Sequence, residues 1–175
     1  LYSSAASDVY KRQPLISQFH SENNISKMKD TYKLVSRWLL VFSIPVSIML
    51  FVFPENILSL FGNEYLLSKN VLVVLTASTL IQAFFGAASP TLGMSGFAKL
   101  VLVNTAIAFT LNFFLNYYLI PLYGITGAAY ATLITMTLIG LLRSVQVRFY
   151  LKMNFLSLKM MKPLVSGLAT YLILR

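Results

Sequence analysis

The chain has 175 residues, 57% of them hydrophobic and 11% charged, with a formal net charge of +9. An ordinary soluble domain carries roughly 25% charged residues, so the composition argues against a water-soluble globule, and 8 glycines with 6 prolines are too few for a collagen-like or disordered chain. There is no cysteine, which removes disulfides, thiolate nucleophiles and cysteine-ligated metals from consideration.

The first thirteen residues, LYSSAASDVYKRQ, differ in character from the rest of the chain and include no initiating Met. Asp8 to Gln13 is similar to the translation of a transposase adapter used in sequencing libraries, so residues 1–13 are set apart from the fold. Residues 14–34 read as the end of a preceding span and a polar, basic loop. Residues 35–175 then read as an all-α polytopic bundle. Three stretches lack any charge: Trp38 to Pro54, Asn70 to Ala98, and Leu100 to Leu142. About 20 apolar residues cross a bilayer as a helix, so these hold one, one and two spans.

The first predicted span is 35–53, with Pro45 in its middle as a kink site. Pro54 to Lys69 is too mixed in polarity to cross and reads as a loop with an interfacial turn, laying Ile57, Leu58, Phe61 and Tyr65 on the lipid boundary. The second span, 71–93, contains Gly86 and Pro90, which predict bent or unwound last turns, and Met94 to Lys99 reverses the chain. Ile120-Pro121-Leu122-Tyr123-Gly124 is the next predicted reversal, giving spans 100–119 and 125–142. Arg143 to Lys162 alternates cations with apolar residues and reads as a helix in the headgroup plane. Residues 163–175 are an incomplete fifth span, so the chain reads as an internal piece of a longer membrane protein.

On this layout one side of the membrane receives ten cations, Lys27, Lys29, Lys33, Arg37, Lys99, Arg143, Arg148, Lys152, Lys159 and Lys162, and the other receives Lys69 with Glu55 and Glu64. Lys and Arg accumulate in short cytoplasmic loops, so the turns at 54–69 and 121–124 are expected outside a multi-pass cell-membrane protein. The cations form no continuous stripe, which disposes of a nucleic-acid partner.

No catalytic constellation emerges. His20 is a lone loop histidine, so neither metal nor cofactor is expected, and every acid lies in a loop. The informative residues are neutral. Asn104, Asn112 and Asn116 recur along one side of the third span, and Gln82 follows Ser78 by one turn in the second. Amides facing lipid would be unpaired, so these line a polar pathway or hold helices together. Gly124, Ala128 and Thr132, beside Gly127, Ala131 and Thr135, make two small-residue ridges suited to close helix packing.

NYYLIPLYGITGAAYATLIT, Asn116 to Thr135, carries the elements LIP-x-YG-I and GAA-x-AT, and Glu55 to Leu75 carries LFG-x-EY. Together with PLISQF and a Pro-containing span, these segments resemble, in order, the polysaccharide flippases of the multidrug/oligosaccharidyl-lipid/polysaccharide exporter superfamily. The structural motif falls on Pro121, Gly124, Gly127, Ala128 and Ala129. One position departs: the family often has Lys or Arg where Leu122 stands. The resemblance implies a two-lobe transporter moving a lipid-linked sugar, in contact with membrane lipids, with this chain in the second lobe and an N-terminal lobe elsewhere in the same protein. On that reading Asn104, Asn112, Asn116 and Gln82 would line the substrate pathway, and Arg37 and Lys99 could meet the carrier's phosphate. The alternatives are a cation-coupled multidrug exporter, which should show acids inside its spans, and a membrane-embedded glycan polymerase, which should gather Arg, His or acids in outer loops.

Overall fold

The computed structural model describes residues 25–152, and every element in it is a helix. In chain order these are α1 (Ile25–Val52), α2 (Pro54–Ser59), a 3-10 helix (Asn63–Ser68), α3 (Lys69–Phe85), α4 (Ala88–Met94), α5 (Ala98–Tyr123) and α6 (Ile125–Leu151). Four segments are long and apolar enough to cross a membrane: Asp30–Val52, Asn63–Met94, Ala98–Tyr123 and Ile125–Leu151. Helices are required there because hydrocarbon offers no partner to a backbone N–H or C=O, and a helix satisfies both within one segment. The hydroxyls obey the same constraint. Thr76, Ser78, Thr91, Thr105, Thr132, Thr137 and Ser144 each donate to the carbonyl four residues earlier on their own helix.

The long helices pack in the order α1, α3, α6, α5, with α4 tucked against α5 and α6. Lys33, Arg37, Lys99, Arg148 and Lys152 share one end, here called the basic end. The core there joins Tyr32, Ala87, Ala88, Leu92, Val147 and Leu151. α6 is the central packing surface because its inner face is mostly small: Gly127, Ala129, Ala131, Thr135, Gly140 and Ser144 are buried. A Cβ on Gly140 would lie 2.7 Å from Cγ of Phe85, so the ring of α3 occupies the space that a side chain would need.

The predicted boundaries differ from the observed ones in three places. α1 starts at Ile25, inside the predicted 14–34 loop. α6 runs to Leu151, so Arg143 to Leu151 continues the fourth span instead of forming a separate helix in the headgroup plane. α5 runs through Pro121 to Tyr123, where a reversal beginning at Ile120 was expected. Charge-free length measures hydrocarbon thickness, whereas Lys and Arg are good helix formers that let a helix continue into water. Pro121 removes only one hydrogen bond, near an exposed helix end where water can replace it. The chain turns at Gly124, which ends α5 and begins α6 with φ +60° and ψ −141°, a conformation favouring glycine.

The predicted break in the second span is present: α3 stops at Phe85, Gly86 and Ala87 intervene, and α4 carries Pro90. In the Pro54–Lys69 segment Phe61 and Tyr65 are exposed, while Ile57 and Leu58 are half-buried. There Lys69 Nζ donates to Glu55 Oε1 at 2.7 Å, joining α2 to the start of α3. That bond, and the charge behind it, hold the Glu55 carboxyl below the usual carboxylate range. A depressed pKa in the folded state contributes stability above the unfolded pKa and loses it as pH falls through the folded one. Because the pair is exposed to solvent, the contribution is small. Lys69→Met should therefore leave the neutral-pH melting temperature nearly unchanged while flattening any loss on mild acidification, as read by melting at two pH values.

His20, Lys27, Lys29, Lys159, Lys162 and the predicted incomplete span at 163–175 lie outside the described residues or their described side chains.

Candidate functional site

The amides predicted to share one side of the third span go to different places. Asn104 is 1% exposed and is the one fully buried side chain among the described residues of α5. Its Nδ2 donates to Gln146 Oε1 at 2.6 Å, and Gln146 Nε2 donates back to Asn104 Oδ1 at 2.9 Å. A primary amide has donors and an acceptor at once, so two amides facing each other satisfy both without water. Each step of four residues drifts about 40° round a helix of 3.6 residues per turn, so Asn112 and Asn116 are turned from Asn104 by about 80° and about 120°. Asn112 Nδ2 reaches Thr135 Oγ1 at 3.4 Å, a long contact. Asn116 Nδ2 donates to Asn112 Oδ1 at 2.8 Å and to the Asn112 carbonyl at 2.9 Å. Both side chains are half-buried, which leaves part of each amide open.

Gln82 lies on α3 in a narrow exposed stripe with Leu75 and Thr79. The exposed stripe of α6, in contrast, is Tyr130, Ile134, Leu138, Leu141 and Val145. An exposed primary amide in an apolar span needs a polar surrounding, whereas Thr79 donates to the Thr76 carbonyl on its own helix. Arg37 on α1 and Lys99 in the first turn of α5 are both exposed at the basic end. They sit on helices at opposite edges of the packing order, and neither is brought to the asparagines.

Of the motif residues, Gly127 and Ala129 are buried, Ala128 is half-buried, and Pro121 and Gly124 are exposed at the turn. A Cβ on Gly127 would fall on the Leu119 carbonyl group of α5, 2.5 Å from its carbon. The motif therefore builds a backbone-to-backbone approach. Sequence reasoning missed Gln146, which it placed in an interfacial stretch, and nothing in a one-dimensional pattern marks it as the partner of a residue 42 positions earlier. Arg143, expected at the start of a helix in the headgroup plane, instead has its Nε buried within the bundle. Among the described residues no group of three His, Cys, Asp or Glu side chains could hold a metal ion.

A model of the MatE family matches residues 12–118. A protein of Haloferax volcanii described as "Probable low-salt glycan biosynthesis flippase Agl15" is 27% identical over 146 residues, covering 81% of this chain and 30% of that protein. The chain thus spans 30% of the length of this curated relative. No solved structure matches it significantly. With its four membrane-crossing helices, its small-residue packing face and a family match over most of its length, the chain belongs to the MatE family of the multidrug/oligosaccharidyl-lipid/polysaccharide superfamily.

Proposed function

We propose that the protein carrying this chain moves a lipid-linked oligosaccharide or polysaccharide precursor across the cell membrane by alternating access, and that this chain supplies helices of one of two lobes. The observation that carries the reading is chemical. The mid-span polar groups of the described chain are neutral amides and hydroxyls, and the acids Asp30, Glu55 and Glu64 all stand at helix ends or in the connecting segment. Amides both donate and accept, which suits sugar hydroxyls. The description of the Haloferax volcanii relative supports the same substrate class.

Gln82, Asn112 and Asn116 are the proposed contacts to sugar hydroxyls, with Asn104 holding α5 against α6 so that Asn112 and Asn116 keep their position. Arg37 and Lys99 are the proposed contacts to the carrier's phosphate, at a basic end that faces the cytoplasm. In a cysteine-free background, probes at Asn63 and Tyr123 should label from outside intact cells and a probe at Lys152 should not. The reverse pattern would overturn the orientation.

The deciding assay is rescue of surface glycan in a flippase-deficient strain by the full-length protein. Gln82→Ala and Asn112→Ala should lower rescue several-fold at unchanged membrane abundance. Efflux of cationic dyes without rescue would instead make the protein a drug exporter.

A further inference from the structure

We propose, as a deepening of the lipid-linked sugar reading on which it rests, that Tyr123 and Tyr130 form an aromatic platform for a sugar ring, continuous with the amides of Asn112 and Asn116. It stands at the end of the bundle opposite the basic end. The two rings meet across the Gly124 turn, with centroids 6.0 Å apart and planes at 80°. An edge-to-face pair of this kind covers one ring face with the edge of the other ring and leaves the remaining faces open. Tyr123 is 59% exposed and Tyr130 37%.

Tyr123 belongs to the amide row of α5. At 3.6 residues per turn Asn112, Asn116 and Tyr123 fall within an arc of about 40°, and Tyr123 stands about 10 Å beyond Asn116 along the axis. α5 is helical throughout that interval. Both ends of the row touch α6, Asn112 through Thr135 at 3.4 Å and Tyr123 through Tyr130. The apolar stripe of Ile107, Phe114 and Tyr118, all exposed, lies roughly opposite on the same helix. Tyrosines anchor spans at the lipid interface, and Tyr118 is placed for that. Tyr123 is instead in line with two amides, which are costly to set in hydrocarbon.

The free hydrogen-bonding capacity of the row suits a sugar. Asn116 spends its Nδ2 group on Asn112 and no described donor reaches its Oδ1, while Asn112 Nδ2 makes one long contact with Thr135. Each amide nitrogen carries two donors, so an open acceptor and an open donor stand side by side on two half-buried residues. A pyranose presents hydroxyls round its rim, which donate and accept, and a face of C–H bonds, whose positive hydrogens match the negative face of an aromatic ring. The separation of about 10 Å between Asn116 and Tyr123 suits a short oligosaccharide better than a single ring. An aliphatic cargo would use the rings and leave the amides unpaired.

The test uses the full-length protein in a flippase-deficient strain, with the photoactivatable residue p-benzoyl-phenylalanine in place of Tyr123 or, as a control, of Tyr118. Irradiation should attach surface-glycan precursor to the protein from position 123 and not from 118, as detected by glycan-specific antiserum on the purified chain. Tyr123→Leu and Tyr130→Leu should each lower glycan rescue about two- to tenfold, the worth of one aromatic contact, at unchanged membrane abundance. Tyr123→Phe keeps the ring and should lose less, and Tyr118→Leu should rescue as wild type does. If wild type rescues but position 123 captures no glycan, or captures no more than 118, the platform is overturned while the sugar reading stands. Leucine variants that rescue fully overturn it as well, and make Tyr123 and Tyr130 ordinary interfacial anchors. If wild type itself gives no rescue, the sugar reading fails and the platform falls with it.

Discussion

Replacing Gly127 with Leu is expected to lower the stability of the full-length protein by about 3 kcal/mol or more, at the upper end of the range for overpacking. The reason is the identity of the neighbour. A Cβ at this position meets the Leu119 carbonyl group, which belongs to a helix backbone and cannot rotate aside. Even Gly127→Ala must push α5 away from α6, and the loss then spreads along the ridge of Ala131 and Thr135 on the same face, both buried. Two comparisons isolate the effect. Ala128→Leu, half-buried one position along, should cost less. Gly140→Ala meets the Phe85 side chain, which can swing, so its effect should fall between the two. Melting in detergent and membrane abundance provide the readouts. A Gly127→Leu protein as stable as wild type, with Ala128→Leu strongly destabilised, would place the close approach on the other ridge.

Asn104→Leu should cost about 1 to 3 kcal/mol, because it strips Gln146 of both partners and leaves a half-buried amide within the bundle unsatisfied. Interhelical polar contacts in membranes average nearer 0.6 kcal/mol, but here the pair is the single buried side-chain anchor of α5 among the described residues. Gln146→Leu should be similarly harmful. The double variant should recover part of the loss, since two apolar side chains replace two matched amides and no orphan remains. Such non-additivity in a double-mutant cycle is the signature of direct pairing. Strictly additive losses would mean that the two amides act separately.

These two effects differ in how far they could be read before folding. The four-residue spacing of small side chains from Gly124 to Thr135 already announced a packing face, since small residues at helical spacing have few other uses in a span. It did not say which of the two adjacent ridges meets a neighbour, because both lie on one side of the same helix. Burial of Gly127 and Ala131 with only partial burial of Ala128 and Thr132 decided that. The asparagines were recognisable as residues that must avoid lipid. Their separate fates, with Asn104 locked to Gln146 and Asn116 turned onto Asn112, depended on where α6 lies around α5.

What the sequence determined by itself was everything that local hydropathy and backbone chemistry control: an all-helical membrane bundle, its four crossings, the break at Gly86 with Pro90, and the reversals after Met94 and at Gly124. Each depends on a few adjacent residues, because lipid forces the backbone to satisfy itself within a segment and glycine or proline interrupts that locally. Tertiary structure decided the rest. A helix fixes the angles between its own side chains but not its rotation against a neighbour, and that rotation is set by the fit of surfaces far apart in the chain. It turned Arg143 from an expected cation of a headgroup-plane helix into a half-buried residue of the fourth span, and set the Gly127 backbone against that of Leu119.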